Sequence, residues 1–168
     1  MINDHMSIGP KGLQLLKDVE TLQMEAYDDQ TRKPISEWCK GATIGYGHLI
    51  PEHDWPRFVD GISMNEGDNL LHADLAPLEA TIRQAIIVPL TQQQFDALLL
   101  LAFNIGAPRF RTSSAVRLIN DPRAVTPYVS LEAAWKAWNK SQGQVNQGLI
   151  NRRECEWTVW KSGIYERW

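Results

Sequence analysis

Thr43-Ile44-Gly45-Tyr46-Gly47-His48, with Glu20 and Asp29 ahead of it, is the stretch on which the reading of this chain turns. Thr, Ile and Tyr favour a pleated, half-buried strand, while Gly45 and Gly47 let the backbone turn tightly. From Tyr27 to Leu49 short β-prone pieces alternate with Asp28, Asp29, Pro34, Gly41 and these two glycines, which reads as a small antiparallel hairpin region and the one convincing β segment. Two carboxylates followed by such a turn supply an acid, a water-positioning base and a polar helper, the set that glycoside hydrolysis requires. An isolated pair at this spacing would read better as a helix-end surface acid and a turn aspartate, and Thr43 alone as an ordinary strand threonine.

Outward from the hairpin the pattern is helical. A first helix begins near Ser7 to Pro10, shows Leu13, Leu16 and Val19 at helical spacing, and ends near Glu20. Ser63-Met64-Asn65-Glu66 is a capping box opening a long helix whose stripe of Leu70, Leu71, Leu75, Leu78, Ile82 and Ile86 runs until Pro89 stops it. Thr91-Gln92-Gln93-Gln94 repeats the signature ahead of Phe95 to Phe103, an almost wholly apolar core helix. Shorter helices are expected near Ser113–Asn120, Ser130–Lys140 and Leu149–Ser162, with Trp135/Trp138 and Trp157/Trp160 as core pairs. The fold class is α+β, mainly helical. Residues 1–7 read as a flexible lead-in, about 20–62 as a hairpin-bearing lobe, 63–88 as a connecting helix and 89–168 as a helical lobe.

A chain of 168 residues with 43% hydrophobic and 22% charged residues builds a core without cofactor or metal. Cys39 and Cys155 lack metal-site spacing and any Cys-His pattern, so they read as independent thiols, or as a pair in an oxidising compartment. The net charge of −3 gives no footprint for nucleic acid. Basic residues nonetheless gather late, at Arg109, Arg111, Arg117, Arg123, Lys136, Lys140, Arg152, Arg153 and Lys161. They form either one cationic wall for an anionic polymer or scattered solvated charges. No apolar run approaches a bilayer span, and no targeting signal is visible.

Role assignment follows environment. Glu20 closes an amphipathic helix beside Leu16, Val19 and Leu22, whereas Asp29 lies in a polar turn next to Asp28. Such unlike surroundings separate a proton donor from an ionised base.

E-x8-D with a tyrosine two residues before the aspartate, followed by T-I-G-Y-G-H, resembles the phage-type lysozymes of glycoside hydrolase family 24. Leu90–Leu98, Ala102-Phe103-Asn104-Ile105-Gly106 and Gly148-Leu149-Ile150-Asn151-Arg152-Arg153-Glu154 resemble three later blocks in the same order. The resemblance covers most of residues 11 to 165. It implies a hairpin lobe and a helical lobe joined by a long helix, with peptidoglycan glycan strands between them. It also implies Glu20 as general acid, with Asp29 and Thr43 holding the attacking water. The usual inverting reaction sets a carboxyl separation on the order of 6.5 to 9.5 Å. Phe103, Asn104 and Arg152 take substrate-binding positions, while His48 with Asp74, Gly45 and Gly47 take structural ones. Arg153 reads as a solvated helix charge.

The implied product is a monomeric muramidase cutting the β-1,4 bond from N-acetylmuramic acid to N-acetylglucosamine. It would be made in the bacterial cytoplasm and reach the wall by holin-type or secretion-system delivery. A phage endolysin is the leading setting, and an antibacterial effector with an immunity protein is the competing one. A catalytically silent glycan-binding module and a lytic transglycosylase are the alternatives, neither of which needs all of Glu20, Asp29 and Thr43. The chain departs from the pattern in an enlarged segment from Arg32 to Lys40. It also carries Thr21 where many relatives have glycine, Gln23 in place of a frequently basic residue, and an acidic net charge.

Overall fold

Pro10 opens α1 (Pro10–Glu20), because its fixed φ suits a first turn and its missing N–H costs nothing there. The chain then enters β1 (Gln23–Asp28), which pairs antiparallel with β2 (Ala42–Gly45), and β2 pairs with β3 (His48–Leu49). A 3₁₀ turn, Glu52–Asp54, leads into the short α2 (Trp55–Phe58) and then α3 (Met64–Ala85). The computed structural model, which describes residues 1–167, divides inside α1 and inside α3. One compact unit is Lys17–Ala76; the other joins Met1–Leu16 to the chain from Pro77 onward.

Within Lys17–Ala76, every residue of β2 is buried. Ala42 and Ile44 pack with Ala26, Ile50, Phe58 and Leu70, against which Ile35, Trp38, Trp55 and Ile62 also lie. Burial of Ile44 alone contributes roughly 1.5–3 kcal/mol. The enlarged segment is anchored to this core, since the Trp38 indole donates to the Ile50 carbonyl at 2.9 Å. The expected capping box forms: Ser63 N–H donates to Glu66 at 2.8 Å and Glu66 N–H to Ser63 Oγ at 3.3 Å. Strand β1 begins at Gln23, four residues before the reading placed the start of β structure.

In the other unit α4 (Gln92–Ile105) is capped by Thr91 and Gln94 through the reciprocal box. Phe95 to Ala102 are all buried, as an apolar run of that kind must be. Around it stand α5 (Ala107–Arg111), α6 (Ser114–Asn120), α7 (Leu131–Lys136) and α8 (Gln147–Ser162). Helix α7 stops four residues short of its expected end. Gln142 and Gly143 there both take positive φ (50° and 79°) and close a hairpin of β4 (Lys140–Ser141) and β5 (Gln144–Val145). That second β piece was absent from the sequence reading. Trp135 contacts Trp157 and Trp160 with ring centroids 5.9 and 5.5 Å away.

The expected flexible lead-in at residues 1–7 is instead packed. Asn3 and Met6 are buried. The Asn3 amide donates to Val88 O at 2.9 Å and accepts from Leu90 N–H at 3.1 Å, and Arg83 donates to Met6 O at 2.7 Å. The two Asn3 bonds satisfy the backbone where α3 has ended and α4 has not begun, a demand that local polarity does not reveal. Both cysteines are free, and burial pushes the Cys155 thiol up to about 11. Among the described residues no helix is long and apolar enough to cross a membrane.

Candidate active site

Strand register decides how the site is assembled. Tyr27 pairs with Thr43 and Asp28 with Ala42, so Asp29 falls opposite Gly41 as the ladder runs out. Side chains alternate along a strand, which puts Asp29, Gly41 and Thr43 on one face and Asp28 on the other. Asp29 N–H donates to Gly41 O at 3.1 Å, and the Thr43 hydroxyl donates to the same carbonyl at 2.9 Å. Thr43 is buried and Asp29 is exposed.

Asp28 and Asp29 thus differ in role despite adjacency. Asp28 Oδ1 accepts from Gln30 N–H at 3.0 Å and Oδ2 from the Thr31 hydroxyl at 2.9 Å, an aspartate-led turn that fixes the end of the hairpin. The Gln30 N–H, aided by the Thr31 hydroxyl, holds its carboxyl below the usual aspartate value. With both oxygens engaged, Asp28 is a turn former.

Glu20 is the last residue of α1 and half-buried. The helix ends because Thr21, whose N–H donates to Lys17 O at 3.0 Å, takes a φ of 57°. That left-handed conformation favours glycine and is unusual for a β-branched residue.

Beyond β2 the backbone turns at Gly45 and Gly47, with φ of 66° and 100°. The turn is held to α3 by two pairs. Tyr46 Oη donates to Asp68 Oδ1 at 3.2 Å, while Lys17 Nζ lies 2.8 Å from the same oxygen and keeps the Asp68 carboxyl below its ordinary value. His48 Nδ1 sits 3.0 Å from both oxygens of Asp74, and its ring leans on Phe58.

The proposed binding residues belong to the other unit and are described there by themselves. Phe103 is half-buried and Asn104 exposed near the end of α4. Asn104 Oδ1 accepts from Arg153 Nη2 at 2.7 Å. Arg153 is fully buried and 2.9 Å from Glu156 Oε1, which corrects its reading as a solvated charge. Arg152 is buried too, its Nε 3.2 Å from the same oxygen. The Trp135 indole donates to Glu156 Oε2 at 3.0 Å. Burial raises the Glu156 pKa, with Arg153, Arg152 and Trp135 pulling against it. Lys136 is engaged by Glu132 and Glu154, at 2.6 and 2.8 Å. The late basic residues Lys136, Arg152 and Arg153 therefore form no cationic wall. Glu156 went unnoticed in the sequence, although its spacing of three and four residues from the two arginines is that of helix ion pairs. Gly41 was read as a turn former only.

An α+β, mainly helical architecture with small antiparallel sheets is that of the phage lysozymes. The phage lysozyme family model matches residues 17–156. The endolysin of Bacillus phage PZA is 36% identical over 94% of this chain, which spans 56% of that protein, about half its length. The endolysin of Acyrthosiphon pisum secondary endosymbiont phage 1 is 34% identical over 94% of this chain and 99% of its own. Among solved structures, the endolysin of Escherichia coli O157:H7 phage FAHEc1 superposes with a TM-score of 0.74 at 29% identity, covering 97% of this chain and 98% of that one. The muramidase domain of SpmX from Asticaccaulis excentricus gives 0.72 at 30% identity, over 93% and 98% of the two chains. This chain belongs to the phage lysozyme family.

Proposed function

We propose that this chain hydrolyses the β-1,4 bond between N-acetylmuramic acid and N-acetylglucosamine in peptidoglycan, with inversion. The observation that carries the reading is the meeting of Asp29 and Thr43 at one backbone carbonyl, that of Gly41. In the proposed step Glu20 gives its proton to the glycosidic oxygen as the bond from that oxygen to the anomeric carbon breaks. A water held by Asp29 and Thr43 bonds to the anomeric carbon from the opposite face, and its surplus proton passes to Asp29. Asp28, spent on its turn, takes no part. Phe103 and the exposed Asn104 are proposed sugar contacts, Asn104 through the amide N–H groups left after Arg153 claims its oxygen. His48, Asp74, Gly45 and Gly47 hold the turn in shape. The proposed setting is a monomeric phage endolysin reaching the wall after delivery. That the SpmX domain comes from a bacterium favours, as a second setting, a bacterial wall-acting protein such as an effector with an immunity partner.

Digestion of purified peptidoglycan by wild type and Glu20→Gln, with mass analysis of the released ends, tests the chemistry. Reducing muramic ends that vanish in the variant are expected. Anhydro ends would replace the reading with transglycosylation, and no digestion by wild type would replace it with a binding module.

A further inference from the structure

Gly41 joins the two groups proposed to hold the water, and neither its type nor its position announced this. Its φ is 99°, and a Cβ built on it would fall 2.4 Å from Asp29 Oδ1 and 3.1 Å from Asp29 Cγ. A real Cβ never comes so near, so the Asp29 carboxylate occupies space that only glycine leaves open. The Gly41 carbonyl meanwhile accepts from both Asp29 N–H and the Thr43 hydroxyl. A threonine hydroxyl has one proton to donate and two lone pairs to accept with. Its proton is committed to Gly41 O, so toward a water Thr43 Oγ1 is an acceptor, as an ionised Asp29 is.

We infer that Gly41 is a positioning residue of the hydrolytic site: its missing side chain seats the Asp29 carboxylate, and its carbonyl fixes the Thr43 hydroxyl so that both groups accept. A water between two acceptors spends both hydrogens on them and keeps both lone pairs on its oxygen, one of which attacks the anomeric carbon. Were Thr43 to donate instead, one lone pair would be tied up and the oxygen would be a weaker nucleophile, with one hydrogen left undirected. The inference rests on the proposed muramidase reading and deepens it.

The test measures kcat and KM on a soluble oligomer of the alternating amino sugars for wild type, Asp29→Asn, Gly41→Ala and Gly143→Ala. Gly143 is the control, since it too has positive φ, 79°, but nothing within 4 Å of its built Cβ. It reproduces the backbone strain without the contact. Gly41→Ala is expected to lower kcat by about 100-fold with KM changed less than about threefold, because a misplacement near 1 Å carries a penalty of that order. Gly143→Ala should lose no more than about twofold by the same standard. Equal losses in the two glycine variants, or a Gly41→Ala effect confined to KM, overturn the inference. If melting shows Gly41→Ala unfolded, Thr43 decides. Thr43→Ser, which keeps donor and acceptor, should be about 100-fold more active than Thr43→Val, the low end of a general-base arrangement's worth, and equal activities overturn the inference. An active Asp29→Asn, or a wild type that releases no reducing ends, sinks the muramidase reading and the inference with it. An inactive Asp29→Asn beside a fully active Gly41→Ala sinks the inference alone.

Discussion

Thr21 sits beside the proposed acid with a φ of 57°, where its branched Cβ crowds the backbone. Left-handed backbone costs a non-glycine residue roughly 1–2 kcal/mol, whereas glycine gives back about 0.5–1 kcal/mol through the freer unfolded chain. Thr21→Gly should therefore raise stability by about 0.5 kcal/mol in chemical denaturation, and a loss of stability would show that the threonine side chain is needed there. The sequence flagged Thr21 as a departure from glycine, but strain became visible only in the dihedral angle. Asp28 and Asp29 carry the same lesson, being identical in type and adjacent. Nothing local says which of them spends both oxygens on a turn and which lies on the face of Thr43. Register does, because a shift of one residue reverses the face.

At the scale of elements, the helix starts were legible because capping is short-range chemistry: Ser63 with Glu66 and Thr91 with Gln94 close on themselves within four residues. What the elements do to one another was less legible. The Lys17–Asp68–Tyr46 cluster ties the hairpin turn to α3, and Lys17 holds the Asp68 carboxyl below its ordinary value. A depressed carboxylate contributes stability above its unfolded value, and this is lost as pH falls through the folded value. Wild type should accordingly lose melting temperature from about pH 4 downward, more steeply than Asp68→Asn; parallel curves would mean that the cluster contributes nothing. On α8, Glu156 faces two buried guanidiniums and an indole N–H. Glu156→Ala leaves those charges buried and unbalanced, at a cost of about 3–5 kcal/mol in unfolding free energy. A loss under about 1 kcal/mol would show that water or rearrangement satisfies the arginines.

For the molecule as a whole, charge bears on how it meets its polymer. The net charge is −3, and of the late basic residues Arg152, Arg153 and Lys136 are paired internally. An acidic net charge gives the whole molecule little long-range attraction to an anionic wall for salt to screen. Initial rates on purified walls should change by less than about threefold between roughly 50 and 200 mM salt, where the screening length is already near 10 Å. A steep fall with salt would reveal a basic face that the pairing leaves active. Caps, the Tyr27 to Leu49 turn chemistry, the apolar run of α4 and the order of the motif blocks were determined by the sequence alone, because each is a matter of neighbours along the chain. Only the tertiary structure decided that Asn3 is a buried anchor, that Arg153 is a core residue, that Gln142-Gly143 closes a hairpin and that Gly41 seats Asp29 against Thr43. Burial and cross-strand register arise between residues far apart in sequence, and no local pattern encodes them.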